Sequence, residues 1–275
     1  MLMKVIFDVL HLYYLPQYLP VYKKLHQLNV GVKFVFYRQQ DSALQGVCEN
    51  VIKAEKLDVF WVDSWSQALD YYLTEKSEWI IFGNAVQDLE KLHLVSKTAL
   101  MQHGIGPKSC YYEVSINPTT VRFVEGQHRL TRLNQLFPNG RFVDTGYAKL
   151  DSAFELDKAS IRLSDLGLDQ NKKTILYAPT FYPSSIEMFE KTFAKDFSDY
   201  NIIIKPHFFT LTKKKYIKQR KRLEHIAKDK NVYLATVSDY NLMPFMAISD
   251  IMLSDASSAI FEFAALNKPV IWCDF

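Results

Sequence analysis

The chain has 275 residues, 48% of them apolar and 23% charged. Its 9 Gly and 10 Pro make about 7%, below the ~12% of average usage, which excludes a disordered, collagen-like or low-complexity chain. A length of 275 against a prior of ~150 residues per domain suggests two domains, and a net charge of +3 is by itself too small to imply a polyanionic partner.

In chain order, short β-branched and aromatic runs alternate with longer amphipathic stretches. The first half offers strands at Lys4–Val9, Val32–Phe36, Val59–Val62, Trp79–Phe82, Thr98–Gln102 and Val121–Val124, with helices such as Gln17–Leu28, Ser64–Leu73 and His128–Leu136 between them. After a polar stretch from about Glu155 to Lys173, a second series has strands at Thr174–Ala178, Tyr200–Lys205, Asn231–Leu234, Ile251–Ser254 and Pro269–Trp272. Its helices are expected at Glu187–Lys195, Lys213–Lys228 and Ser257–Leu266. Near-continuous apolar strands separated by helices mean parallel sheets covered on both faces. The expected fold class is therefore α/β, with two Rossmann-like domains, 1–155 and 156–275, facing each other across a cleft.

Cys48, Cys110 and Cys273 show neither CxxC nor Cys/His ligand spacing, so no disulfide framework or zinc site is expected and a reducing cytosol is. Val5–Tyr22 is interrupted by Asp8, His11, Pro16, Gln17 and Pro20, and no small-residue cleavage site follows. No run approaches the ~20 apolar residues of a membrane span. By its own signals the chain is expected to be neither secreted nor membrane-spanning. Its charge is uneven. Lys205–Lys230 carries ten Lys and Arg against Glu224 and Asp229. There Lys213, Lys214, Lys215, Lys218, Arg220, Lys221 and Arg222 interleave with Tyr216, Ile217, Leu223 and Ile226 at helical spacing. This pattern predicts an amphipathic helix whose basic face is either simply solvated or attracted to an anionic membrane surface. No aromatic stacking platform accompanies it, so nucleic acid is not the expected partner.

Neither GxGxxG nor GxxxxGK[ST] is present, which removes the main support for dinucleotide oxidoreductase and P-loop readings. In open α/β sheets ligands bind beyond the carboxyl ends of strands, and four such segments carry chemistry. His103, followed by Gly104 in a Gly-rich bend, is the candidate general base, although a lone histidine there is more often structural. Lys205-Pro206-His207 presents a cation and an imidazole suited to phosphate; His207 equally suits capping a turn. Ser254, Asp255, Ser257 and Ser258 lie where a buried strand gives way to a helix, an arrangement that makes either an anion site or an ordinary N-cap. Glu262, about one turn on, is placed to reach a ribose hydroxyl or to face solvent. In Tyr177-Ala178-Pro179-Thr180-Phe181, Thr180 is a candidate donor contact.

The order His103-Gly104, Tyr177–Phe181, Lys205–His207 and Ser254–Ile271 resembles the CDP-glycerol glycerophosphotransferase family, GT-B enzymes of teichoic acid and related surface-polymer synthesis. The resemblance spans roughly Leu100–Ile271 and is most specific in its last segment. It implies a transferase that moves glycerol phosphate, or a similar polyol phosphate, from a CDP-activated donor to a polysaccharide or lipid-linked acceptor and releases CMP. Under it, His103 resembles the acceptor-activating base, and His207, Ser257 and Ser258 resemble pyrophosphate-binding residues. No Asp-x-Asp metal motif is seen, so neither cofactor nor metal is expected. Family members continue past the position of Ile271, so an incomplete carboxyl-terminal domain is expected. The implied location is the cytoplasmic face of the cell membrane, with peripheral attachment through the basic helix. A GT-B glycosyltransferase or sugar-nucleotide epimerase, and a non-catalytic nucleotide-binding subunit, remain alternatives.

Overall fold

A computed structural model describes residues 3–154 and 161–274 of the protein. In it, every apolar run expected to be a strand is one, give or take a residue at its ends. The chain forms two compact units, Met1–Lys149 and Leu150–Phe275. They divide ahead of the expected junction between 155 and 156, which lies outside the described residues.

Unit 1 carries seven strands: β1 (Lys4–Val9), β2 (Gly31–Tyr37), β3 (Val59–Val62), β4 (Trp79–Phe82), β5 (Lys97–Met101), β6 (Val121–Val124) and β7 (Phe142–Asp144). All neighbouring pairs are parallel, in the order β3-β2-β1-β4-β5-β6-β7. Helices α1 (Leu15–Gln27), α2 (Ser42–Glu55), α3 (Trp65–Glu75) and α6 (Gln127–Leu136), with the short turns α4 (Leu89–Leu92) and α5 (Cys110–Glu113), connect them. Helix ends follow local chemistry. The Asp41 carboxylate accepts from Leu44 N–H at the start of α2, and α2 and α3 stop where Lys56 and Lys76 turn left-handed.

Unit 2 holds five parallel strands: β8 (Thr174–Tyr177), β9 (Asn201–Ile204), β10 (Val232–Leu234), β11 (Ile251–Ser254) and β12 (Val270–Trp272), ordered β10-β9-β8-β11-β12. Its helices are α7 (Asp151–Phe154), α8 (Phe193–Asp196), α9 (Phe208–Thr212), α10 (Ile217–Ile226), α11 (Met243–Ile248) and α12 (Ala259–Ala264). Alternation along these strands divides the core by face. Leu176, Ile203 and Met252 pack with Met246 and Phe263 on one side, while Ile175, Tyr177, Ile202 and Ile204 pack with Phe193, Leu223 and Ile226 on the other. A sheet covered on both faces reads as continuous apolar sequence, which is why the strands were legible.

Two expected helices differ. Glu187–Lys195 is a 3-10 turn (Ser185–Glu187), then irregular chain, then α8. Phe189 and Phe193 have helical spacing and both pack on Tyr177, but Phe189 does so from a bend and only Phe193 from a helix. Lys213–Lys228 breaks into an extended Lys213, a 3-10 turn (Lys214–Tyr216) and α10. The tighter turn shifts the helical phase, so Tyr216, Leu223 and Ile226 are buried but Ile217 is 43% exposed. Arg222, expected on the basic outer face, instead donates to the Phe189 carbonyl oxygen.

Both sheets reverse their direction of growth once, at β1/β4 in unit 1 and at β8/β11 in unit 2. Such a switch point leaves a crevice beyond the carboxyl ends of the two strands, because their connections depart to opposite sides.

Candidate functional site

His103 follows β5, next to the unit 1 switch point. Its backbone N–H donates to the Gly83 carbonyl oxygen at 3.0 Å, and its Nδ1 lies 2.8 Å from the same oxygen. A carbonyl only accepts, so the proton sits on Nδ1 and the neutral ring keeps its lone pair on Nε2. Gly83 directly follows β4, so the crevice itself sets the tautomer. The Tyr14 ring stacks on the imidazole at 4.9 Å and 24°, and Tyr13 and Tyr111 meet it edge-on. This enclosure pushes the imidazole down to about 4 against the pull of the Gly83 carbonyl, and the positive charges of Lys149, His11 and Lys108 act in the same direction. At neutral pH, His103 is therefore an uncharged acceptor.

Gly83 admits this packing through its missing side chain. A Cβ there would lie 2.6 Å from Tyr14 Cδ2 and 2.8 Å from the Tyr18 hydroxyl. Beneath these rings, Asp8 shares the face of β1 that carries Ile6. Its Oδ2 accepts from the Tyr37 hydroxyl at 2.9 Å and the Tyr72 hydroxyl at 2.7 Å. Burial raises the Asp8 carboxyl to about 6 despite those two bonds. Two buried arginines fix the segment after His103. Arg129 donates to the Gly106 carbonyl at 2.5 Å and to Glu125 at 2.9 Å, with its guanidinium 4.1 Å from the Tyr112 ring centre. Arg122 donates to Ser115 Oγ and to the Tyr111 carbonyl, both at 2.7 Å. Gly106 has φ +110, open to glycine at little cost, and Gly104 is buried. Sequence reasoning missed Asp8, Arg122 and Arg129 as site supports; the available signal was a charged residue inside an apolar strand, as in Val121-Arg122-Phe123-Val124.

In unit 2 the carboxyl ends of β8, β9 and β11 bring Thr180, Lys205, His207, Ser254 and Asp255 to one edge of the sheet. Asp255 is 0% exposed and accepts from Thr180 N–H at 2.6 Å, Ser185 N–H at 2.8 Å and the Ser185 hydroxyl at 2.8 Å. The Ser254 hydroxyl donates to the Ala178 carbonyl at 2.6 Å. Both residues, expected among the donor contacts, thus lie beneath the loop and hold it in place rather than face a ligand. Their bonds knit the segment after β8 to the end of β11, across the switch point.

His207 donates its backbone N–H to the Pro179 carbonyl at 3.1 Å, and its Nδ1 accepts from Phe209 N–H at 3.1 Å. The ring therefore caps α9 and carries its proton on Nε2, the opposite tautomer to that of His103. Phe181 lies 4.6 Å from the His207 ring, and Gln219 of α10 donates to the Phe181 carbonyl at 3.0 Å. Lys205 is 7% exposed. Ser257 Oγ accepts from Ala259 N–H at 3.2 Å, and Ser258 is half-buried at the start of α12. Glu262 is 1% exposed, which removes the solvent-facing alternative. Lys268 donates to the carbonyls of Met246, Ala247 and Ser249, closing the end of α11.

The teichoic acid glycerol-phosphate primase of Bacillus spizizenii is 31% identical over 132 residues, 48% of this chain and 33% of that protein. The primase of Bacillus subtilis is 30% identical over 118 residues, 40% of this chain and 28% of that one. These aligned regions span about a third of the relatives' length. Among solved structures, the wall teichoic acid polymerase TagF aligns with a TM-score of 0.61 at 15% identity, covering 98% of this chain and 69% of that one. The UDP-GlcNAc 2-epimerase of Neisseria meningitidis aligns equally well, covering 98% and 81%. At such identities the likeness shows the fold alone, which is GT-B. The sequence pattern of the CDP-glycerol:poly(glycerophosphate) glycerophosphotransferases matches residues 16–274, and the chain belongs to that family.

Proposed function

We propose that the protein transfers glycerol phosphate, or a similar polyol phosphate, from CDP-glycerol or a related CDP-activated donor to a hydroxyl of a cell-surface polymer or its lipid-linked precursor. Unit 1 serves the acceptor and unit 2 the donor. His103 Nε2 takes the proton of the acceptor hydroxyl, whose oxygen attacks the phosphorus that bears the polyol. The bond from that phosphorus to the bridging oxygen breaks, and CMP leaves with the electron pair. Lys205, the Nε2–H of His207, the hydroxyls of Ser257 and Ser258 and the backbone around Thr180 supply donors for the diphosphate, and Glu262 is the candidate partner for the ribose.

One observation carries this reading: Gly83 holds the His103 tautomer whose lone pair is on Nε2, and burial keeps the ring uncharged, which is the state a general base needs. The exposed lysines Lys213, Lys214, Lys215, Lys218 and Lys221 supply attraction to an anionic leaflet, about 1 kcal/mol per residue near the surface. On this reading the protein works at the inner face of the membrane.

The test is CMP release from CDP-glycerol, with and without a lipid-linked acceptor in anionic vesicles. Acceptor-dependent release is expected, weakening as salt screens the surface. His103→Ala should lower it by roughly 10²–10⁴-fold and His207→Ala by roughly 10²–10³-fold. Because kcat/KM reports the free enzyme, its acid limb should fall near pH 4 instead of 6.5. Full activity in His103→Ala, or binding of CDP-glycerol without turnover, would overturn the proposal.

A further inference from the structure

The loop that follows β8 is anchored on two sides within unit 2. On its inner side Asp255 accepts from Thr180 and Ser185. On its outer side α10 holds it. Gln219 Nε2 donates to the Phe181 carbonyl at 3.0 Å and to Glu187 Oε1 at 2.7 Å, and Arg222 Nε donates to the Phe189 carbonyl at 3.0 Å. Gln219 is itself buried, and its Oε1 accepts from the Thr210 hydroxyl of α9 at 3.3 Å. The Phe181 ring packs on His207, Phe209 and Tyr216, with centroids 4.6, 5.2 and 5.6 Å away. The loop therefore touches the candidate donor contacts on one side and the lysine-rich helix on the other.

Three large apolar side chains protrude where these contacts are made. Tyr182, next to Phe181, is 76% exposed; Met188, between Glu187 and Phe189, is 64% exposed; and Ile217 stands out two residues before Gln219. Single exposed apolar side chains are ordinary on a protein surface, but three around one lysine-rich helix make a patch. Lys213, Lys214, Lys215, Lys218 and Lys221 are exposed, and among the described residues none of them forms an ion pair. With Arg220 and Arg222 they outnumber the neighbouring acids Glu187, Glu190 and Glu224. Apolar side chains set in an excess of positive charge suit the headgroup region of an anionic bilayer. The ammoniums meet lipid phosphates there while the apolar groups leave water. A soluble polyanion would use the charge but gain nothing from Met188 and Ile217.

We infer that Tyr182, Met188 and Ile217 insert among the headgroups of an anionic leaflet, and that this contact steadies the loop after β8 and so tightens donor binding in unit 2. The inference rests on the membrane reading above and adds what the membrane does to the reaction. Between β8 and α8 the loop is irregular apart from the turn at Ser185–Glu187, so its freedom is part of what donor binding must remove. Lipid that fixes the outer rim removes some of that freedom first. Gln219 passes the restraint to Phe181, whose ring packs on His207. By linkage, the donor must tighten lipid binding by the same factor.

The full chain would be sedimented with vesicles of phosphatidylglycerol and phosphatidylcholine, and with phosphatidylcholine alone, and its CMP affinity measured by calorimetry on each. The protein should bind the anionic vesicles only, and bind CMP about tenfold more tightly there than in solution. Met188→Ser combined with Ile217→Ser leaves the charge unchanged, so it should weaken vesicle binding roughly tenfold through lost apolar contact alone. Its CMP affinity in solution and its binding to heparin should not change; an equal loss on heparin would overturn insertion into lipid. Gln219→Leu should bind vesicles as the wild type does yet lose the tightening of CMP. If circular dichroism shows that Gln219→Leu does not fold, the serine variant and the wild-type comparison decide. Equal CMP affinity with and without anionic vesicles, or wild-type vesicle binding by the serine variant, overturns the inference and leaves the electrostatic attraction standing. No binding to anionic vesicles overturns both. Lipid-tightened CMP binding in a protein that never turns over CDP-glycerol would instead overturn the transfer reading and leave the lipid contact standing.

Discussion

Replacing Asp8 by Asn tests what burial does to a carboxyl held by two tyrosine hydroxyls. Asp8 is 5% exposed, and burial lifts its carboxyl from 3.8 to about 6. The folded state holds this proton more tightly than the unfolded chain. Its contribution is thus complete below about 3.8 and is lost as pH rises through about 6. At ~1.36 kcal/mol per pKa unit the loss is about 3 kcal/mol. His103 runs the other way, with an imidazole lowered from 6.5 to about 4. Its contribution is present above 6.5 and lost as pH falls through about 4, again by at most about 3 kcal/mol, since part of the ring still meets water. Between about pH 4 and 6 the two slopes offset each other. Asp8→Asn keeps an amide oxygen for Tyr37 and Tyr72 but cannot titrate. Urea unfolding from about pH 4 to 7 should therefore show the variant gaining about 3 kcal/mol on the wild type as pH rises. A difference between the two proteins that stays constant over that range would refute the burial argument for Asp8.

Two further substitutions separate support from chemistry. Gly83→Ala drives a methyl group into Tyr14 and Tyr18, which are 2% and 0% exposed and have little room to yield. It should cost about 1–3 kcal/mol in thermal or urea unfolding and displace the ring stacked on His103, lowering CMP release at least tenfold. An unchanged melting point and rate would contradict that placement. His207→Ala should lose about 1 kcal/mol with the cap of α9, while His207→Asn keeps a capping oxygen and the stability. Both should lose turnover, and an Asn variant that turns over like wild type would leave His207 as a cap only.

The sequence made the parallel sheets legible because each buried strand is an unbroken apolar run. What escaped had weaker signals. β7 is a short edge strand with Val143 and Asp144 exposed, so its composition matches that of a loop. The expected helix at Glu187–Lys195 failed because aromatic spacing at four residues serves a bend as well as a helix. In the site, His103 and His207 stood out as imidazoles at strand ends. Their environment did not, because it is made by distant residues. The Gly83 carbonyl lies 20 positions from His103, and Asp255 reaches 75 positions back to Thr180. A backbone carbonyl has no sequence identity at all, so the group that sets the tautomer of His103 could only be found in three dimensions. Ser254 and Asp255 carry the residue types of an anion site yet hold up its floor, a distinction that depends on side-chain direction.

The order of strands in unit 1 also bears on how the chain is made. β1 pairs with β2 on one edge and with β4 on the other, and β4 begins only at Trp79. During synthesis from the amino terminus, the first three strands can assemble as a small sheet while β1 waits with one edge unpaired. That edge carries Ile6 and Phe7, an apolar template open to strands of neighbouring chains until Phe82 has left the ribosome. Slow translation before β4 would prolong the hazard, and a chaperone that shields this edge would act earliest on the strand that ends beside the candidate base.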